Sequence, residues 1–211
     1  MVKRKKKNNI FVIQTVITGF LLVLAVYAGI TMALLGGSQN VVATSDLIPT
    51  GVPEIYGEEL GISYDGVSPN NPALADQTIN VMKNLDLSLM LEGEDLDRYT
   101  RILLEISCEY CCGAKSIIFE NGESACGCAH SYAMRGLAKY LILEHPDEFT
   151  DQEVLRELAK WKVLYFPGQM IAKAQVMEEQ GIETTYTNLG SNAYRGIEKG
   201  VKSNGGMVGG C

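Results

Sequence analysis

Five of the six cysteines and one of the two histidines lie between positions 108 and 130. They form two groups, Cys108-Glu-Tyr-Cys111-Cys112 and Cys126-Gly-Cys128-Ala-His130. Thiolates and imidazoles at such close spacing are typical ligands of soft metal ions. Met134 follows His130 by four residues, so in a helix the two side chains share one face. The sequence therefore predicts a Zn or Cu site with ligands from Cys108, Cys111, Cys112, Cys126, Cys128, His130 and Met134.

Other interpretations of these cysteines stay open. An even number of cysteines is compatible with a disulfide-stapled interaction domain. Cys108-Glu-Tyr-Cys111 has the C-x-x-C form of redox-active thiol pairs, so a thiol-disulfide oxidoreductase is the enzyme that the sequence would favour. An iron-sulfur cluster, which also uses four thiolates, fits less well on the oxidising side of a membrane. Neither a Ser/His/Asp constellation nor a phosphate loop is visible, and this favours a binding protein over an enzyme.

A β-hairpin is predicted to bring the two cysteine groups together. Ile117, Ile118 and Phe119 are strand formers, and Asn121-Gly122 is typical of a type I′ turn. Pairing across that turn would place Cys126 beside Ile117 and both cysteine groups at the open end of the hairpin. This arrangement resembles a zinc ribbon, in which two close-spaced thiol pairs on a short hairpin bind one ion.

The remaining pattern is mainly helical. Helices are predicted from Pro72, from Glu94, from Ala129 and, through the capping box Thr150-Asp-Gln-Glu153, from Thr150. The alternation of leucine with other residues at positions 85–91 predicts a short strand. The fold class is therefore α+β, mainly helical, with a Cys-bearing hairpin in a domain spanning residues 72–189.

The N-terminal region predicts attachment to a membrane. Residues 1–9 form a basic tail, and residues 10–36 are apolar and uncharged, which favours one transmembrane helix acting as a signal anchor. We expect the tail to be cytoplasmic and the domain to be extracytoplasmic, in a single-pass protein of the cell membrane. Residues 37–71 would be a juxtamembrane linker, and residues 190–211 a flexible Gly-rich tail.

Charge restricts the possible partners. The formal net charge is −7, although residues 3–7 are all cationic, so the rest of the chain is strongly acidic. An acidic domain repels nucleic acid phosphates, which excludes nucleic acid as an expected partner. The expected partners are a lipid bilayer, a metal ion and a further protein.

A resemblance rests on the C-x-C-x-His string that opens a helix and on the later Thr-Asp-Gln-Glu-Val-Leu helix. This layout resembles exported bacterial PCYCGC-motif proteins and is more distantly similar to membrane-anchored cytochrome c maturation thiol oxidoreductases. The similarity covers about Cys108 to Trp161, and the PCYCGC string itself is not present. It implies an exported protein that handles copper or thiols.

Overall fold

Seven α-helices carry the fold of residues 46–203 and 205–210, which are the residues that this computed structural model describes. The helices are α1 Gly57–Leu60, α2 Pro72–Ser88, α3 Gly93–Leu103, α4 Ala129–Glu144, α5 Asp151–Tyr165, α6 Pro167–Glu179 and α7 Tyr186–Gly190. Short 3-10 helices lie at Tyr64–Gly66 and Asn192–Tyr194. The described part of the chain is thus mainly helical, as the sequence predicts.

Local sequence signals explain where the main helices begin. Pro72 is the first residue of α2, and the Asn71 side chain accepts a hydrogen bond from the Leu74 backbone N–H. Thr150 and Glu153 form the predicted capping box at the start of α5, in which each side chain bonds the other residue's backbone N–H.

The pairing of α2 with α4 is unusually close at one point. A Cβ added to Gly136 of α4 would lie 1.8 Å from the Met82 carbonyl oxygen of α2, so only glycine fits there. One residue earlier, the buried guanidinium of Arg135 pairs with the Asp86 carboxylate at 2.9 Å. Backbone contact and ion pair together fix the position of α4, whose first turn carries the second cysteine group.

One hydrophobic core runs through the described residues. Trp161 of α5 is fully buried within it. The segment predicted as a linker contributes Leu47, Tyr56 and Tyr64 to the same core, and the segment predicted as a flexible tail contributes Val208. The proposed domain boundaries stay a prediction.

The predicted Cys-bearing β-hairpin is wrong. A turn does form at Asn121-Gly122, where the Phe119 N–H donates to the Glu123 carbonyl at 2.7 Å, but the described residues contain no β-strand. Only an isolated bridge joins Ile118 and Ser124. The ladder stops because the Ile117 N–H, which would donate to the Ala125 carbonyl across the turn, donates to the Ile106 carbonyl at 3.1 Å. The Cys126 carbonyl accepts from the Arg135 guanidinium of α4 at 2.8 Å.

The strand predicted at residues 85–91 is also wrong, since α2 continues through Ser88. Asp86 explains the difference, because its carboxylate accepts from Arg135 at 2.9 Å and forms an ion pair with Lys139 at 2.8 Å. Both partners lie on α4. Tertiary ion pairing therefore decides the local structure where the alternating pattern pointed to a strand.

No helix within residues 46–203 and 205–210 is long and apolar enough to cross a membrane. The longest of them, α2, has 17 residues and includes charged side chains. This finding stands against the predicted transmembrane helix and the predicted cell-membrane location, and neither is retained below. The predicted signal anchor at residues 10–36 and the basic tail before it lie outside the described residues.

Candidate metal centre

The first cysteine group lies on an irregular loop between α3 and α4, and a buried ion cluster anchors this loop. The Glu109 carboxylate contacts the ammonium groups of Lys162 at 2.9 Å and Lys173 at 3.3 Å. Both lysine side chains are fully buried. Burial acts to raise the pKa of Glu109, but the two ammonium groups outweigh it and hold that pKa below its ordinary value. The loop next to Cys108 is thereby tied to α5 and α6.

The second cysteine group is positioned by the N-terminus of α4. Cys128 is the N-cap residue, and its Sγ accepts a hydrogen bond from the Ser131 backbone N–H at 3.4 Å. A helix N-terminus stabilises negative charge through its unpaired N–H groups and its dipole. The Ser131 hydroxyl lies 2.8 Å from Cys108 Sγ, so one residue contacts both cysteine groups.

Three sulfur atoms meet at this point. Cys108 Sγ lies 3.4 Å from Cys128 Sγ, and Cys126 Sγ lies 3.6 Å from Cys128 Sγ. The sulfurs of Cys108, Cys126 and Cys128 are all within 4.8 Å of one another, and these three residues form a group that can hold a metal ion. Cys108 and Cys126 are buried, whereas Cys128 is partly exposed.

A disulfide joins Cys112 to Cys126. It links the exposed end of the first cysteine group to the buried start of the second. A sulfur in a disulfide cannot act as a thiolate ligand. The three-cysteine group therefore offers three thiolates only after this bond is reduced, and the same reduction frees Cys112.

The two thiols nearest to each other differ in acidity. A hydrogen bond from Cys108 lowers the pKa of Cys128 to about 3, and the side chains of His130 and Ser131 act in the same direction against burial. The same hydrogen bond, together with burial, raises the pKa of Cys108 well above its ordinary value. The two sulfurs thus interact strongly, and the N-terminus of α4 favours the charged form at Cys128.

His130 is fully buried and its tautomer follows from its partner. The ring nitrogen Nε2 lies 2.9 Å from the Val208 carbonyl oxygen, which can only accept, so Nε2 carries the hydrogen. Nδ1 is also buried, and it forms no hydrogen bond within the described residues. A histidine whose other nitrogen donates to a carbonyl is the usual form of a metal ligand. His130 lies outside the group of three sulfurs, although it is close enough to affect Cys128.

The remaining predicted ligands lie elsewhere. Cys111 is exposed at the surface, and Cys112 is held in the disulfide. Met134 is 1% exposed and packs in the hydrophobic core. A role for Cys111, Cys112, His130 or Met134 as a metal ligand stays a prediction.

Sequence reasoning missed the residues that support the cluster. Ser131 contacts Cys108 and Cys128, Arg135 holds the Cys126 carbonyl, and Lys162 anchors the loop through Glu109. Ser131 is the third residue of the helix that follows Cys128, and the backbone N–H at that position often bonds to the N-cap side chain. The sequence therefore held a signal for the contact between Ser131 and Cys128. Arg135 and Lys162 carried no such signal, because their partners are distant in sequence.

The comparisons with known proteins assign no family or function to this chain, since no family model, no curated protein and no solved structure matches it. The resemblance to PCYCGC-motif proteins and to cytochrome c maturation oxidoreductases therefore stays a prediction. Functional inference rests on the cysteine cluster itself.

Proposed function

We propose that this protein binds a soft metal ion, Zn²⁺ or Cu(I), through the thiolates of Cys108, Cys126 and Cys128. The observation that carries the proposal is the convergence of these three sulfurs within 4.8 Å. Two thiolates bound at about 2.3 Å to one tetrahedral zinc ion lie about 3.8 Å apart. The sulfur separations of 3.4 and 3.6 Å are close to that spacing.

The surroundings of the sulfurs favour a thiolate site. Cys128 accepts a hydrogen bond from a helix N–H and has a lowered pKa, and both favour the thiolate form that binds a cation. Metal binding would compensate the repulsion that arises when Cys108 and Cys126 also become anionic. The buried Nδ1 of His130 is a further nitrogen in the vicinity, and it has no hydrogen-bond partner in the part of the chain that the structure describes.

Cu(I) and Zn²⁺ differ in the number of ligands that they need. Cu(I) accepts two or three thiolates, so the group of three, once reduced, satisfies it without a further ligand. Tetrahedral Zn²⁺ needs a fourth ligand, and reduction of the Cys112–Cys126 bond supplies Cys112, with His130 as the alternative. Because Cys112 is exposed, an ion held there is accessible to exchange, which suits metal handling.

The proposal is tested by titrating the fully reduced full-length chain with Co²⁺, Zn²⁺ and Cu(I) under anaerobic conditions. We expect one ion per chain, with thiolate-to-cobalt charge-transfer absorption that Zn²⁺ displaces. Cys126→Ser should lower affinity by about 100-fold or more, because it removes a central ligand.

Cys111→Ser is the matched control, since Cys111 belongs to the neighbouring segment but lies outside the group of three. It should keep the parent's stoichiometry and absorption. Absence of charge-transfer bands in the reduced parent would refute the metal site. Equal losses in both variants would refute the assignment of its ligands.

A further inference from the structure

Four sulfurs form a continuous series that begins at the exposed Cys112 and ends at the buried Cys108. Cys112 is exposed and is bonded to Cys126, which is 4% exposed. Cys126 Sγ is 3.6 Å from Cys128 Sγ, and Cys128 Sγ is 3.4 Å from Cys108 Sγ. Cys108 is 1% exposed. The series therefore contains one disulfide and, directly beside it, one pair of thiols.

This arrangement is that of a thiol–disulfide exchange reaction before attack. Exchange needs a thiolate next to a sulfur of the disulfide. Cys128 is placed for this attack, since its sulfur lies 3.6 Å from the bonded sulfur of Cys126 and accepts a hydrogen bond from the Ser131 N–H at the start of α4. Gly127 leaves the intervening backbone unobstructed, because a Cβ added there would contact nothing within 4 Å.

We infer that the protein transfers a disulfide internally between Cys112/Cys126, called the surface pair after the exposed Cys112, and Cys108/Cys128, called the buried pair after the buried Cys108. In the first step the Cys128 thiolate attacks Cys126 Sγ, a Cys126–Cys128 bond forms, and Cys112 leaves as a thiolate. In the second step Cys108 releases its proton and attacks Cys128, a Cys108–Cys128 bond forms, and Cys126 leaves and takes up a proton. Two electrons move from the buried pair to the surface pair, and no external oxidant is consumed.

The transfer gives the buried pair a route to the surface. Cys108 cannot meet another molecule directly, whereas Cys112 can be attacked by, or can attack, the thiols and disulfides of small molecules or proteins. The chemical class of the external substrate is accordingly a thiol or a disulfide. The inference goes beyond the proposed metal site and does not depend on it, because the reaction starts from the disulfide form without metal.

The test follows the position of the disulfide over time. The metal-free, fully reduced full-length chain receives one equivalent of oxidised glutathione in the presence of a chelator. Samples are quenched in acid, alkylated and digested, and each disulfide is located by mass spectrometry. We expect Cys112–Cys126 to form first and the Cys126–Cys128 and Cys108–Cys128 bonds to appear afterwards.

Three variants decide the route. Cys128→Ser should leave the disulfide at Cys112–Cys126, and Cys111→Ser should reproduce the parent's sequence of bonds. Cys112→Ser changes an exposed position, so it keeps the test valid if Cys128→Ser fails to fold. It should slow the formation of Cys108–Cys128 by about ten-fold or more, because the most exposed cysteine of the series is lost.

Two results would overturn the inference. One is a parent chain that never forms a bond to Cys108 or Cys128. The other is formation of Cys108–Cys128 in Cys112→Ser at the parent's rate, which would mean direct oxidation of the buried pair. The reaction contains no metal, so neither result bears on the metal site.

Discussion

Cys128 places a sulfur where helices usually have an oxygen, because Ser, Thr, Asp and Asn are the common N-cap residues. Its Sγ accepts the Ser131 N–H that such an oxygen would accept. Cys128→Ser should therefore keep the helix cap while removing the thiolate. We expect the free energy of unfolding of the reduced chain to change by less than about 1 kcal/mol.

Denaturant unfolding and Co²⁺ titration of the same preparations separate the two roles of Cys128. The variant should unfold like the parent and bind cobalt much more weakly. A loss of more than about 3 kcal/mol in stability would instead make the sulfur a packing residue. The cluster would then be part of the core and not a binding site.

Lys173 carries a charge into the interior beside Lys162. Burial, and then the neighbouring ammonium of Lys162, lower the pKa of Lys173 to about 8. In the unfolded chain the lysine pKa is about 10.4, so between about pH 8 and about pH 10.4 the unfolded state binds more protons than the folded state. The contribution of Lys173 to stability therefore rises with pH across this window.

A substitution isolates that contribution. Lys173→Met removes the titrating group, so the parent should gain roughly 3 kcal/mol relative to the variant as the pH rises through the window. Paired denaturant curves at several pH values measure this difference, in which groups outside the cluster of Glu109, Lys162 and Lys173 cancel. A difference that is constant with pH would show that Lys173 keeps its ordinary pKa in the folded protein.

At the scale of elements, the contact between α2 and α4 positions the second cysteine group. Gly136→Ala would place a methyl group 1.8 Å from the Met82 carbonyl oxygen, and this contact involves backbone that cannot rotate away. We expect a loss of about 3 kcal/mol or more, although alanine is the better helix former by about 1 kcal/mol. Thermal unfolding of the reduced chain measures the loss.

Gly127→Ala is the matched control, because a Cβ at that glycine meets nothing within 4 Å. Its stability should stay within about 0.5 kcal/mol of the parent. If Gly136→Ala were equally harmless, α2 and α4 would have room to separate. The close backbone contact would then not determine where α4 begins.

Elements with their own sequence signals were predictable. The capping box at Thr150 and the proline at position 72 mark helix starts that the structure confirms. The hairpin and the strand at residues 85–91 failed because other segments supply the contacts. The Ile117 N–H donates to the Ile106 carbonyl, and Asp86 pairs with Arg135 of α4. Such contacts join residues distant in sequence and leave no local pattern.

At the scale of the whole molecule, the sequence indicated a cysteine cluster but not its internal arrangement. Spacing alone placed five cysteines close together. In the fold, these cysteines differ in how far their side chains are exposed to solvent. Cys108 is buried because the loop that carries it is anchored through Glu109, while Cys111 stays at the surface. The choice among ligands depends on this anchoring, which involves α5 and α6 and is not encoded near the cysteines.

The cluster joins separate parts of the chain, so metal binding should stabilise the whole described fold. Cys108 follows α3, whereas Cys126 and Cys128 precede α4. Free metal at about 1,000 times its dissociation constant should raise the free energy of unfolding of the reduced chain by about 4 kcal/mol. Calorimetry with and without Zn²⁺ measures this increase. Cys126→Ser should show little of it, and an equal increase in that variant would place the metal elsewhere.

X-ray absorption spectroscopy of the reduced full-length chain, loaded with one equivalent of Zn²⁺ or Cu(I), tests the central claim most directly. The proposed site predicts a metal shell with at least three sulfur scatterers, at about 2.3 Å for zinc. Cys126→Ser should reduce the sulfur count by one or lose the metal. A first shell made of nitrogen and oxygen alone would contradict a metal centre built from Cys108, Cys126 and Cys128.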